Sequence, residues 1–344
     1  MRRIILACLF LSAQIVAFSQ FGRDLFSASS LSISKRTGVK KNEFCVNVLT
    51  PLLTPSTLVG AGNVSFNLGT GLRVYQTNVG YVELNYNKNL FLTETTEDPS
   101  YYAINKLDRT NYSITSNFNI LKRGKAKETH ISIEGISGGN YYTIVDVIHK
   151  QAINIRAGLS QTFSQTFSKT YSQLLWNTYP DLYPLTYGGN TSCWINQYSK
   201  NYKLGISLSD FVNHSIEGIT NDDQTFKGHK GRLLNFYFDV SYAYKNMTSP
   251  VLYRYYAYGD PQLTSPFSNP MREDSIDMTD FLKYKRTGFS LGFEKIEYLG
   301  KRNIRTVTTA IEIGSQTGYF DNFMRSLYFE LKFICLGLGG LSKS

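Results

Sequence analysis

Between Leu234 and Tyr244 every second residue is apolar or aromatic, and Asn235, Tyr237, Asp239, Ser241 and Ala243 fill the positions between. A period of two is the period of a β-strand, because successive side chains leave the strand on opposite faces. The pattern recurs in NEFCVNVLT, NVSFNLGTGLRVY, YVELNYN, NYSITSNFNI, AINIRAGLS, YKLGISLSD, GFSLGFEK, TVTTAIEIG and SLYFELKF. With weaker stretches near 28–36, 192–199 and 250–258 it predicts about 12–14 strands and an all-β, antiparallel chain. Past the N-terminus no apolar run is long enough to cross a bilayer as a helix, so a chain like this reaches a membrane only as a barrel.

The interleaved face indicates what the apolar face meets. On a soluble sandwich it would touch bulk water and be dense in Lys and Glu. Here Ser, Asn, Gly and Thr dominate, with scattered charges of both signs. Polar inside and apolar outside is the pattern of a transmembrane barrel. The charged members expected to line the lumen are Glu83, Arg156, Lys203, Asp239, Lys245, Glu294, Glu312, Glu330 and Lys332. Composition agrees: 18% of residues are charged, and there are 25 Tyr and 22 Phe. Soluble domains carry about 25% charge, and tyrosine suits an interface with one dry and one wet end.

MRRIILACLFLSAQIVAFSQ joins two arginines to an apolar run ending in small residues. It predicts a secretory signal over residues 1–19, cleaved after Ser19, ahead of one barrel domain over 20–344. Cys8 lies inside the apolar run, too early for a lipoprotein cleavage site. Cys45, Cys193 and Cys335 are an odd number after processing, so they form no closed disulfide framework; Cys335 shares parity with Leu327, Phe329, Leu331 and Phe333 and reads as a lipid-facing residue. The net charge of +10 points to anionic headgroups, acidic polymers or an anion-preferring lumen rather than to nucleic acid, given the export signal. The run LKRGKAKETH (121–130) reads as a solvated turn.

Catalysis has few candidates among four histidines. His130, Ser132 and Glu134 share one strand face and have the residue types of a lipid hydrolase, a minor alternative. Ile131 and Ile133, taken as the lipid face, would turn that trio into the lumen, away from a bilayer substrate. His214 and Ser215 are adjacent and would point to opposite faces. No zinc spacing is present, NDDQ (221–224) lacks the glycine and glutamate of a calcium loop, and LGLGGL (336–341) has no helix after it to cradle a phosphate. The expectation is no enzyme, no cofactor and no metal. The aromatic loop LLWNTYPDLYPLTYGGN (174–190) reads as self-packed.

NEFCVNVLTPLL followed by GAGNVSFNLGTGLRVYQTNVGYVELNYN resembles the early hairpins of the PorP/SprF-type outer-membrane proteins of the type IX secretion system. YKLGISLSDFVNHSI with LLNFYFDVSYAYK and PVLYRYY is similar to that family's later region. The resemblance implies a non-enzymatic accessory barrel in the outer membrane of a Gram-negative bacterium. It would help export or anchor surface proteins, with outer-membrane lipid and secretion-system subunits or a secreted surface protein as partners. The alternative is a porin-like channel for small solutes. The accessory reading expects a lumen filled by its own side chains, the channel a continuous wet path.

Overall fold

A computed structural model describes residues 23–25, 31–38, 44–58, 63–94, 109–134, 140–167, 192–221, 223–256, 271–276, 284–299, 305–319 and 326–341. The expected signal peptide and the aromatic loop 174–190 lie outside these residues, as do the side chains of all three later cysteines. Two short strands, β1 (Arg23–Leu25) and β2 (Leu31–Thr37), come first. They precede β3 (Phe44–Leu58), β4 (Asn63–Gln76), β5 (Gly80–Glu94), β6 (Arg109–Glu134) and β7 (Asn140–Phe167). Next come β8 (Ser192–Thr220), β9 (Thr225–Thr248), β10 (Val251–Tyr256), β11 (Met271–Ile276) and β12 (Tyr284–Lys285). Last are β13 (Thr287–Leu299), β14 (Arg305–Ser315), β15 (Gly318–Tyr319) and β16 (Leu327–Leu341).

Ten of these close a ring in chain order: β3, β4, β5, β6, β7, β8, β9, β13, β14 and β16, the last pairing back with β3, every pair antiparallel. Each of the ten alternating stretches read from the sequence falls in a different ring strand. The whole sheet has fourteen strands, within the expected count, but β1, β2 and β10 attach to ring strands and β11 to β10 rather than complete the barrel. Closure satisfies every edge that hydrocarbon could not. Pro51, with no N–H to give, falls at the one register shift between β3 and β4, between Leu49 and Leu52.

The outer face carries the apolar set. Val48, Leu72, Leu84, Ile114, Leu159, Tyr202 and Tyr242 form one register row from β3 to β9. Toward one end the row gives way to aromatic pairs at an interface: Tyr86–Tyr112, Phe163–Tyr198 and the stacked Tyr202–Tyr244, with centroids 5.1, 4.7 and 4.1 Å apart.

The connections sort by side. At the aromatic end they span 59–62, 95–108, 168–191, 249–286 and 316–326; at the other they span only 77–79, 135–139, 221–224 and 300–304, beside the start of β3 and the end of β16. Long loops face outside and short turns the periplasm. From sequence, the gap between YKLGISLSD and the Leu234–Tyr244 stretch reads as a long connection over 210–231, which would break this alternation. The structure replaces it with continuous strand and a tight turn, where Asp223 takes φ 55° and its N–H donates to Thr220 O at 3.1 Å.

On the short-turn side β6, β7, β8 and β9 run past the ring. They are 24 to 29 residues long, where about 10 suffice for a tilted membrane strand. In the ring β7 lies beside β8, their pairing ending at Lys150–Phe211. Beyond that point the two separate, and β6 pairs with β9 instead, Ser132 opposite His229. β1 lies parallel on β7 at Asn140–Tyr142 and β2 antiparallel on β8 at Ser215–Thr220. Ile131, Ile133, Val145, Val147, Val212, Ile216 and Phe226 pack together inside this two-hairpin extension, with Ile33 and Tyr141 against them.

Candidate functional site: a filled barrel interior

The inward positions of the ring hold small residues that give large polar ones room. A Cβ on Gly205 would meet Asp239 Oδ1 at 2.2 Å, and one on Gly292 would meet the Tyr237 ring and hydroxyl within 2.4 Å. Into that space fold Arg73 of β4 and Arg156 of β7, 2% and 7% exposed. Arg73 donates to Glu83 of β5 and, at 2.6 Å, to Glu294 of β13, and Asn85 donates to the second oxygen of Glu83. Arg156 Nε donates to Asp239 of β9 at 2.8 Å, and Nη1 to the Tyr81 hydroxyl at 2.8 Å. The two guanidinium groups lie 4.6 Å from the Tyr81 ring and 4.0 Å from the Tyr237 ring.

The network continues around the wall. Asn235 donates to Tyr81 at 3.1 Å. Tyr237 and Tyr328 each donate to Glu312, both at 2.5 Å. Lys332 lies 4.0 Å from Glu312 and 3.4 Å from Glu330. Seven of the ten ring strands are thereby joined across the interior. On the remaining wall Ser207 donates to Asn117 and Asn154 to Ser207, both at 3.0 Å. Toward the short turns this polar layer rests on an apolar one of Tyr75, Tyr81, Phe211, Leu233, Ile296 and Tyr298, with Tyr75 and Phe211 5.1 Å apart. Toward the loops Lys285 donates to Ser315 and to Ser326, the latter at 2.8 Å. About eight strands leave just enough room for side chains, whereas aqueous porins need about sixteen; ten strands with this filling sit near the first limit.

Of the charges expected in the lumen, Glu83, Arg156, Asp239, Glu294, Glu312, Glu330 and Lys332 belong to this network, and Lys203 lies on the same wall, half-buried. Lys245 does not join them. The pairing shifts so that Asn201 faces Ala243 but Lys200 faces Lys245; cross-strand partners share a face, and the shift turns Lys245 away from buried Asn201 and Ala243 to an exposed position. Arg73, Tyr81, Tyr237 and Tyr328 are the central residues sequence reasoning did not single out. Parity was the available signal, since Arg73 and Tyr237 sit on the interleaved face.

The extension corrects two readings. Residues 121–130 are strand, not turn. Ile131 and Ile133 are core residues, 0% and 5% exposed, not lipid contacts, and His130 is exposed beside Tyr142, their rings 5.1 Å apart, rather than in the lumen. A different constellation has the order of a hydrolase: Asp210 lies 3.0 Å from His149 Nδ1, and His149 Nε2 lies 2.9 Å from Thr129 Oγ1. Thr129 is 6% exposed and its hydroxyl donates to the Lys127 carbonyl at 3.1 Å. The trio therefore acts as a clasp joining β6, β7 and β8 where they leave the ring. Among the described residues no three His, Cys, Asp or Glu side chains gather as a metal site.

No family model and no curated protein matches the chain. Similar solved structures include a deltaS2 mutant of the TodX monoaromatic hydrocarbon channel, 8% identical over 87% of this chain and 88% of that one, TM-score 0.25. The P. putida toluene transporter TodX is 8% identical over 87% and 88%, TM-score 0.20. Pseudomonas aeruginosa OpdQ is 9% identical over 88% and 100%, TM-score 0.18. Likeness at this level carries no argument, so the assignment rests on the ring itself. A closed antiparallel ring with an apolar exterior, aromatic pairs at one rim and a polar interior is an outer-membrane β-barrel.

Proposed function

We propose that this barrel works as a sealed, non-enzymatic platform in the outer membrane, presenting the two-hairpin extension on one side and the long loops on the other to protein partners. One observation carries the reading: the Arg73–Glu83–Glu294 and Arg156–Asp239 groups meet across the interior above an apolar layer. Removing one partner from such a buried pair costs about 3–5 kcal/mol, so a solute would have to pull the layer apart to pass. The resemblance of the quoted stretches to PorP/SprF-type proteins gives the platform a specific form, an accessory role in type IX export or surface anchoring with secretion-system subunits or a secreted surface protein as partners. That form rests on those stretches alone.

A second reading is a narrow solute channel whose closed state is the one described. It is favoured by the mixed signs facing one another at mid-depth, since selective pores place charged groups at their constriction. Conductance in a planar bilayer separates the two. Folded, heat-modifiable protein that leaves the membrane silent supports the platform, with crosslinking to follow for bound neighbours. Stable ohmic steps overturn it in favour of the channel.

A further inference from the structure

A row of cations descends from the lipid-facing wall at the foot of β6. Leu121 and its partner Ile153 are the last outward apolar pair on β6 and β7, 62% and 42% exposed. Two residues on, Arg123 faces Gln151, and two further Lys125 faces His149. Because alternate residues share a face, Arg123 and Lys125 continue the lipid-facing row instead of turning inward. Each step of two residues advances about 7 Å along the strand, and the headgroup zone adds roughly 5–8 Å beyond the hydrocarbon on each side. With the strand tilted by about 45°, these steps descend roughly 5 and 10 Å, so Arg123 stands at headgroup depth and Lys125 just beyond it, within reach of its long side chain.

Their charges are uncompensated. Both side chains are exposed, and among the described residues neither has an ion-pair partner. The nearest acid on this face is Asp210, two strands away in the row Arg123–Gln151–Asp210. It is already engaged by His149 at 3.0 Å, Lys127 at 3.5 Å and Arg232 at 3.8 Å. Glu128 and Asp146 are paired in register with each other on the opposite face of the hairpin. Beyond Lys127 the face that carries the cations closes into the extension, at Thr129, Ile131 and Ile133. The cations thus occupy the inner corner between the membrane wall and the extension, with hydrocarbon-facing Leu121 and Ile153 directly above.

We propose that Arg123 and Lys125 bind the phosphate of an anionic phospholipid headgroup in the leaflet on the short-turn side, anchoring the extension against the membrane. The occupant is a lipid rather than an acidic protein because the site is continuous with the lipid-facing row. The inference goes beyond the platform reading and does not depend on whether the lumen conducts.

The test is native mass spectrometry of the full barrel released from nanodiscs of phosphatidylcholine mixed equally with phosphatidylglycerol, counting retained lipids. Wild-type protein is expected to keep phosphatidylglycerol in roughly thirtyfold preference, the scale set by two surface cations. The double variant R123Q/K125Q is expected to lose most of that preference, while K245Q, at the opposite rim, keeps it. Should R123Q/K125Q fail to show heat-modifiable migration, the readout moves to wild-type protein, whose preference is expected to collapse between low and high salt. No preference in the wild type, an equal preference in the folded double variant, or a preference indifferent to salt would each overturn the proposal.

Discussion

Leu204, Ile206 and Leu208 of β8 stand 65%, 61% and 56% exposed on the outside of the ring, while Val212 and Ile216, on the same face of the same strand, are 1% and 0% exposed inside the extension. β7 does the same, from exposed Ile153 and Ile155 to buried Val145 and Val147, and β9 from exposed Phe236 and Phe238 to buried Phe226. The face that meets lipid in one region becomes the protein core of the next. The two regions also cohere by different physics. The ring puts its apolar groups in lipid and keeps buried charge within, held by paired guanidinium and carboxylate groups. The extension excludes water from aliphatic side chains, each worth about 1.5–3 kcal/mol when fully buried. An apolar period of two reports that a face avoids water, and it is silent on what replaces the water.

The contrast predicts different responses to substitution. Arg73→Met strands Glu83 and Glu294 in the ring and should cost about 3–5 kcal/mol, read as a lower temperature for loss of heat-modifiable migration. Ile216→Ala opens a cavity in the extension and should cost about 2–5 kcal/mol. Its signature is faster hydrogen exchange in 129–149 and 211–231 with the migration temperature of the ring unchanged; a fall in that temperature would show the two regions to be one cooperative unit. Ile206→Arg, on the lipid face, should cost about 2–4 kcal/mol if near the bilayer midplane and spare the extension.

The smallest expected effect is on pH dependence. Burial, then the neighbouring His214 and Lys230, lower the His229 imidazole to about 4. Its ordinary value is about 6.5, so the unfolded chain binds the extra proton first. Stability is full above pH 6.5 and falls as pH drops toward 4, by about 1 kcal/mol at pH 5.5. Hydrogen-exchange protection at the β8–β9 tip, referred to the intrinsic amide exchange rate at each pH, should therefore fall between pH 7 and 5.5, and His229→Gln should remove most of that change.

The ring was legible because membrane strands must alternate and must close, and the ten alternating stretches each became a ring strand. The extension was not. LKRGKAKETH has the composition of a turn, yet its residues continue β6, and Ile131 and Ile133 keep the same period after their surroundings have changed from lipid to protein. Register shifts hid the rest: one at Asn119/Leu121 resets parity on β6, and one at Lys200/Asn201 turns Lys245 outward. Seven lumen charges followed from parity alone. Tyr81, Tyr237 and Tyr328 did not, because tyrosine in such a chain reads first as an interfacial residue, and only the placement of Arg156 and Glu312 shows that these hydroxyls serve the interior.

The account stands on the change of environment along one strand face. Single spin labels at the even positions 202 to 218 of β8, in bilayers, with collisional access to oxygen and to a water-soluble relaxer compared at each, test it directly. Positions 202 to 208 should favour oxygen, as lipid-exposed sites do, and positions 212 to 216 should be shielded from both. Oxygen access persisting through 216 would extend the membrane wall over the region assigned to the extension, and access to the water-soluble relaxer there would dissolve its core; either result contradicts the account.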